Sequence, residues 1–572
     1  MAHQRADDCN SHRVLHMQDT IDTLPNLLVA IIIVLFIVLR KADLFGKPYL
    51  WAEDATIFLT RAAQNGIHAI GETYAGYYHI VPQGVTLLAV WISELATGGI
   101  RIAPYIMYGI ALVWSGFVFL YFALGNFDWF VVGKWRRTCV CLLTILFIPS
   151  ETSEVWFTIT NFQWWAEVFL FLVGLCMVNS WEMPKSKLVL PVLVIIGLST
   201  PVGGLILPVA IVVCIVRWWR QVLTGADLLS LVALMVPIAF QMIAVLGPGE
   251  GRTLIHLGTL VDLFFKYFIS RLPQMVFPNT SELVGNWNQP FTCVLFWLPL
   301  LYLFMCCKEI RISIAYGVLY MSTAAALFIL TAVDGESTFN AGRYSFAIIS
   351  IWMILIISGA FKTLGQEKKT ENDLSRSALP IVLMASLCIL PYRQLPISAD
   401  LADTWKGIEK YMETGTERHC WASVAPGWPW GVWGMEIPIQ TRYLQAEPSE
   451  DIMYAVDYLG EKGSAEALTE GLTINGQGGL SITGWAMESN EPVTVLVEAN
   501  GNYVATRPIN RKDVADYLEI PSQGETFYAG YETVIPASDL IEGENQIKLV
   551  LISEDEQNCN QIPLTVKIHE IA

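Results

Sequence analysis

LPNLLVAIIIVLFIVL fills Leu24–Leu39, and RKADLFGKPYLWAED follows without a break over residues 40–54. A hydrocarbon layer about 30 Å thick needs roughly 20 apolar residues of helix, so the first run reads as a membrane span. No small-residue cleavage site follows it, which argues against a removed signal peptide. Further apolar runs start near Ile102, Thr138, Trp164, Leu188, Gly204, Leu228, Phe291, Ile312, Tyr344 and Ala378, for about eleven spans. One more apolar stretch, Ile80–Ala96, carries Pro82, Gln83 and Glu94.

Composition agrees. Of 572 residues, 54% are hydrophobic and 15% charged, with mean hydropathy +0.47 and net charge −17. A soluble chain carries about a quarter charged residues. Disordered, collagenous, basic nucleic-acid-binding and small disulfide-scaffold classes are excluded. The charge is uneven. Residues 392–572 hold 28 acidic and 11 basic side chains, leaving 24 of each in residues 1–391. That split marks a neutral membrane core and an acidic, polar tail.

Basic residues set the orientation. With Ile80–Ala96 lying on the outer face, KWRR (134–137), PKSK (184–187), RWWR (217–220), CCKEIR (306–311) and FKTLGQEKK (361–369) all fall inside. Counting Ile80–Ala96 as a span would put KWRR outside. The expected plan has a cytoplasmic tail over 1–23 and a membrane core over 24–391. Its outer loops are 41–101, 149–163, 247–290 and 334–343. A membrane-proximal segment, 392–475, precedes an outer β-sandwich at 476–572. Strands are expected at Leu480–Met487, Val493–Glu498, Tyr503–Arg507, Thr533–Pro536, Gln546–Ile552 and Leu564–Ile568, with Gly, Asn, Asp and Pro turns between them. Of 11 cysteines, only Cys420 and Cys559 lie in the tail, where they either pair or stay as two thiols. No C-x-x-C or His-rich spacing suggests a metal. Asn279-Thr280-Ser281 is a glycosylation sequon on the outer side.

The residues that could carry chemistry sit in the outer loops. Glu53 and Asp54 in Trp51-Ala-Glu-Asp are adjacent carboxylates in a charge-poor core. One could take a proton from an attacking hydroxyl, while the other holds a metal or the acceptor. The plain alternative is a solvated helix start, where acids are favourable. Tyr74, Tyr77, Tyr78 and His79 follow; their rings either stack on sugars or form an interface belt. Glu151, Glu154, Thr158, Asn161, Gln163, Trp164 and Trp165 combine polar groups with tryptophan, which suits carbohydrate as well as an ordinary wet loop. Arg343, beside Tyr344 at the head of a span, opposes both the helix dipole and the charge bias. A bound phosphate would explain it, and so would snorkelling. Arg252, His256, Lys266 and Arg271 are weaker phosphate candidates.

At WAEDATIF with YAGYYHIVPQ, at SETSEVWFTITNFQWW and at AGRYSF, the chain resembles the GT-C superfamily of polytopic membrane glycosyltransferases. It looks most like bacterial members with a W-A-E-D-G-like first loop and a T-N-x-Q-W second loop. Ala55 stands where such members have Gly, and Gln83 where they have Arg, which weakens a phosphate contact there. The resemblance implies a bacterial inner-membrane enzyme with an outward-facing site. It implies a polyprenyl-phosphate sugar donor, a glycan or lipid acceptor, and inversion at the anomeric carbon. Its catalytic acid lies in the first outer loop, Asp54 or Glu53, and family practice favours Asp54. Arg343, Tyr344 and Arg271 would hold the donor phosphate. Trp51, Tyr78, His79, Glu154, Asn161 and Gln163 would bind substrate. No cofactor is implied with certainty, and a divalent ion (Mg or Mn) stays open. The tail resembles an accessory β-domain that binds glycan, docks a partner or stabilises the core. Two rival classes remain: a lipid-sugar transporter, which needs polar groups near the bilayer midplane, as Glu167 and Gln241 would be, and a non-catalytic scaffold.

Overall fold

The computed structural model describes residues 26–41, 50–184, 186–246, 257–277, 288–331, 342–364, 405, 412, 419–423, 434–438, 444, 446–474, 479–489, 491–520 and 527–571. The tail 1–23, the run at Ala378, the Asn279 sequon, Arg252 and His256 lie outside these residues.

The front of the chain is helical. The main helices are α1 (Asn26–Arg40), α2 (Ile80–Thr97), α3 (Ala103–Leu124), α4 (Lys134–Phe147), α5 (Phe162–Ser180), α6 (Val189–Ser199), α7 (Leu207–Trp219), α8 (Gly225–Leu246), α9 (Asn288–Cys306), α10 (Arg311–Thr331) and α11 (Arg343–Leu364). Helix α1 buries Val29, Ile33 and Ile37 but leaves Leu27, Ile31, Leu35 and Leu39 exposed. Helix α8 likewise exposes Leu229, Val232, Val236 and Ile243. Helices that are apolar on every side belong in lipid. Among the described residues, 8 helices are long and apolar enough to cross a membrane, and Asn26–Arg40 and Val189–Ser199 are shorter apolar helices. About eleven spans are expected from the sequence. Seven of those are among the eight, and the eighth is Ile80–Thr97; α1, α4 and α6 fall short at 15, 14 and 11 residues, and the last run is not described.

The bundle has two chemically distinct ends. At one, Lys134 Nζ donates to Asn26 Oδ1, Arg137 Nε to the Ala123 carbonyl and Lys362 Nζ to the Trp129 carbonyl. Lys362 also meets Glu309, and Arg217 meets Asp227. At the other end, Arg40 donates to the Ile148 carbonyl, and the carboxylates of the first two loops collect. Helix α2 satisfies the length criterion for a span, yet both its ends meet this second end. At its start, the Val81 N–H donates to Ser199 Oγ, where α6 finishes. At its finish, Ser93 Oγ bonds the Gly99 carbonyl and accepts the Ile102 N–H, where α3 begins. Gly98 makes that turn at φ +72, a left-handed helix end open to glycine.

The tail is a two-sheet sandwich, as its alternating pattern suggests. Its strands are β1 (His419–Ser423), β2 (Gly434–Pro438), β3 (Ile452–Leu459), β4 (Lys462–Gly463), β5 (Leu472–Ile474), β6 (Leu480–Glu488), β7 (Thr494–Ala499), β8 (Asn502–Ala505), β9 (Arg507–Ile509), β10 (Gly530–Ile535), β11 (Gly543–Ile552) and β12 (Cys559–Ile571). One sheet runs β2-β1-β8-β7-β11-β12-β5 and the other β9-β10-β6-β3-β4, with Glu491–Pro492 beside β6. The sheets thus take up strands from 419 onward, ahead of the boundary placed at 476. Cys420 and Cys559 are free and buried, not paired. They lie on β1 and β12, four strand spacings apart. At about 4.8 Å per strand that is ~19 Å, far beyond the reach of a disulfide.

A single apolar core joins the two parts. Leu50, Ala55, Leu59, Ile100 and Met107 of the front pack with Cys420, Ile437, Tyr503 and Val550 of the sandwich. Strand β2 lies against the Asp54–Leu59 turn, and Trp405 Nε1 donates to the Arg101 carbonyl.

Candidate functional site

The first loop turns at Asp54–Leu59, a π-helical turn that runs into a short helix, Thr60–Asn65. Such turns re-aim side chains and recur at functional sites. Here the two adjacent carboxylates point to different partners. Asp54 is 1% exposed; its Oδ1 accepts the Thr160 N–H at 2.6 Å and its Oδ2 the Ile159 N–H at 3.3 Å. It clamps the second loop to the first. Burial pushes its carboxyl up to about 8, against the pull of those N–H groups, and the neighbouring Glu53 adds to the rise.

Glu53 points toward Arg343. Its Oε1 lies 3.8 Å from Arg343 Nη1, and Glu154 Oε2 lies 3.7 Å from the same nitrogen. The Arg343 backbone N–H donates to Glu154 Oε1 at 3.2 Å. Glu154 therefore caps the start of α11, and the two acids account for a cation at that unfavourable position. Burial holds the Glu154 carboxyl above its usual range, with Arg343 pulling the other way and Lys41 adding a second cationic influence. The guanidinium also sits 5.3 Å from the Tyr344 ring centroid. Glu53 Oε2 is buried and has no hydrogen-bond partner. An unpaired buried carboxylate oxygen is costly, and native structures rarely keep one without use.

Aromatic residues wall the group. Tyr74 and Tyr77 pair across a small hairpin, Thr73–Tyr74 with Tyr77–Tyr78, and both feel the charges of Glu53 and Arg343. His79 packs among Phe58, Tyr74 and Tyr77, and its Nε2 contacts the Tyr74 carbonyl. Burial depresses its pKa to about 3, so it stands neutral at pH 7. Gln163 Oε1 accepts from the Tyr77 hydroxyl and from Thr200 Oγ1, tying the hairpin to α5 and to the turn after α6.

The expected residues divide accordingly. Glu53, Glu154, Arg343 and Tyr344 come together, with Gln163 and His79 in the wall. Asn161 is spent on its own loop: its amide donates to Glu154 O and Thr158 Oγ1, and its Oδ1 accepts the Trp164 indole N–H. The Tyr78 backbone is held by Gln241, and its ring stacks on Phe240. Trp51 packs against the main core. Arg271 ends a second π turn, Tyr267–Arg271, whose Tyr267 hydroxyl bonds Ser345 Oγ two residues past Arg343. Lys266 pairs with Asp262 on an exposed face instead.

Lys41 was not among the candidates. It is 2% exposed at the end of α1 and acts on Glu154. Its signal is its position two residues past the first apolar run, which reads as an ordinary flanking charge. Among the described residues, no three His, Cys, Asp or Glu side chains converge so as to hold a metal ion. Glu53 and Glu154 converge on a guanidinium. No protein family, curated protein or solved structure matches the chain.

Proposed function

We propose that the chain is an integral membrane glycosyltransferase of the GT-C kind, moving a sugar from a polyprenyl phosphate to a glycan or lipid hydroxyl. The reaction takes place at the carboxylate end of the bundle, on the outer face of a bacterial inner membrane. The observation that carries this reading is the unpaired, buried Glu53 Oε2 beside Arg343. It offers an acceptor for one hydroxyl proton next to a cation suited to phosphate.

In this mechanism Glu53, rather than Asp54, is the general base. It takes the proton of the acceptor hydroxyl as that oxygen bonds to the anomeric carbon. The bond from that carbon to the phosphate oxygen breaks, with inversion, and polyprenyl phosphate leaves as an anion. Arg343 stabilises the charge growing on the phosphate. Its ion pairs at 3.7 and 3.8 Å are longer than hydrogen bonds, so beside its bond to Tyr344 the five-donor guanidinium keeps capacity for a ligand. Lys41 and Arg343 together balance Glu53 and Glu154, which keeps an anionic donor from meeting a net negative wall. Asp54 shapes the site by holding the 159–160 backbone. Helix α2 lies along the outer surface, with Leu88, Trp91, Ile92 and Leu95 as one exposed apolar stripe toward lipid.

The transporter reading keeps one observation in its favour: Glu167, buried within α5. The test separates the two. Glu53→Gln should abolish the surface glycan product at unchanged protein level, lowering transfer by about 10²-fold or more. Wild-type glycan from Glu53→Gln would remove the enzyme reading, and loss on Glu167→Gln alone would favour transport.

A further inference from the structure

A second site lies in the sandwich. His419, Trp421, Glu436, Asn502, Ser538 and Asp539 line a cleft of about 360 Å³, at the small end of ligand pockets, which span roughly 300–1,000 Å³. Its placement follows from strand alternation. On β1, Cys420 and Ala422 point into the core shared with the front of the chain, so His419 and Trp421 point the opposite way. The Trp421 ring packs on the interior of the sandwich. Glu436 is its cross-strand partner on β2, and Val504 its neighbour on β8. The turn Ala537–Asp539 closes the far wall.

The cleft has unmet bonding capacity of both kinds. Trp421 Nε1 is buried and has no acceptor, although a buried indole N–H usually finds one. Asp539 Oδ1 accepts Asn502 Nδ2 at 3.2 Å and Ser538 Oγ at 3.5 Å. Glu436 is exposed and near enough to raise the Asp539 carboxyl, with burial the larger cause. Two carboxylates repel an anion. An amine would satisfy the acids and leave the indole N–H unpaired. A polyhydroxyl ligand satisfies both, since each hydroxyl donates and accepts, and its C–H face can lie on the indole ring.

We propose that this cleft is a saccharide-binding site for a neutral sugar unit, with Trp421 Nε1 donating to a ring or hydroxyl oxygen and with Glu436 and Asp539 accepting hydroxyls. It is independent of the Glu53–Arg343 group and of whether that group performs transfer.

The test uses the full chain in lipid nanodiscs, free of glycoside detergent, and isothermal titration. The probes are linear glucan, mannan, galactan and arabinan hexasaccharides, with choline as the cationic control. At least one hexasaccharide should bind the wild-type chain. Trp421→Phe, which keeps a ring and removes the donor, and Glu436→Gln should each weaken it by roughly tenfold, while Glu53→Gln binds as wild type. The proposal is overturned by any of four results: no hexasaccharide binds the folded chain, choline alone binds, binding survives both cleft variants unchanged, or Glu53→Gln removes it. Because binding is read without transfer, its failure would leave the glycosyltransferase reading standing, and the reverse holds too.

Discussion

Glu53 and Asp54 are adjacent in sequence and unlike in role. Consecutive residues on a helical turn point in different directions, so one carboxylate can meet Arg343 while the next meets the second loop. The sequence could place an acid pair in the first outer loop, but it could not say which acid faced which way, because the partners lie 105 and 106 residues downstream for Asp54 and 290 (343 − 53) for Glu53. The resemblance favours Asp54 as base; its carboxylate accepts two backbone N–H groups of the second loop, and our proposal gives the base role to Glu53. The raised pKa of Asp54 has a consequence for stability. The folded chain holds a proton that the unfolded chain releases, so this contribution is present at low pH. It is lost as pH rises between 3.8 and about 8. Melting temperature measured across that window should fall with rising pH, and the slope should flatten in Asp54→Asn. A second expectation concerns Arg343→Lys. It keeps the charge but loses the forked donor set, so transfer should drop about tenfold or more while the melting temperature changes little. Steady-state assays at matched protein level would check it.

At the scale of elements, most helices and strands were legible. Long apolar runs and alternating strands in a turn-rich tail each carry a strong local signal. Helix α2 was the ambiguous one. Its length and composition fit a span, and only the charge of the loops on either side argued otherwise. If it lies in the plane of the surface, spin labels at Trp91 and Leu95 should report similar shallow depths in lipid. A crossing helix would give labels at Ile80, Leu88 and Leu95 at steadily different depths. A close packing step was not legible at all. A Cβ on Gly203 would stand 2.6 Å from the Gly197 Cα, backbone against backbone. Gly203→Ala should therefore cost about 1–3 kcal/mol, read as a lower melting temperature or poor yield.

Across the whole molecule, the uneven charge was the most informative feature of the sequence, because it separated a neutral bundle from an acidic sandwich. The sequence did not show that the two share a core. Ala55 and Leu59 of the first loop pack with Ile437, Tyr503 and Val550 of the sandwich, contacts that span most of the chain. Local periodicity carries no information about such pairings. The sandwich thus braces the turn that bears Glu53, which gives the tail a mechanical part besides any binding. Ile437→Asp should unsettle the first loop, lowering transfer together with protein level, whereas Glu53→Gln lowers transfer alone. That distinction leads to the most direct test. Polyprenyl-phosphate sugars would be profiled by mass spectrometry in cells carrying Glu53→Gln and in wild-type cells at equal protein level. One such lipid should accumulate in the Glu53→Gln cells as its matching glycan disappears; an unchanged lipid profile with unchanged glycan would contradict the assignment of this site to sugar transfer.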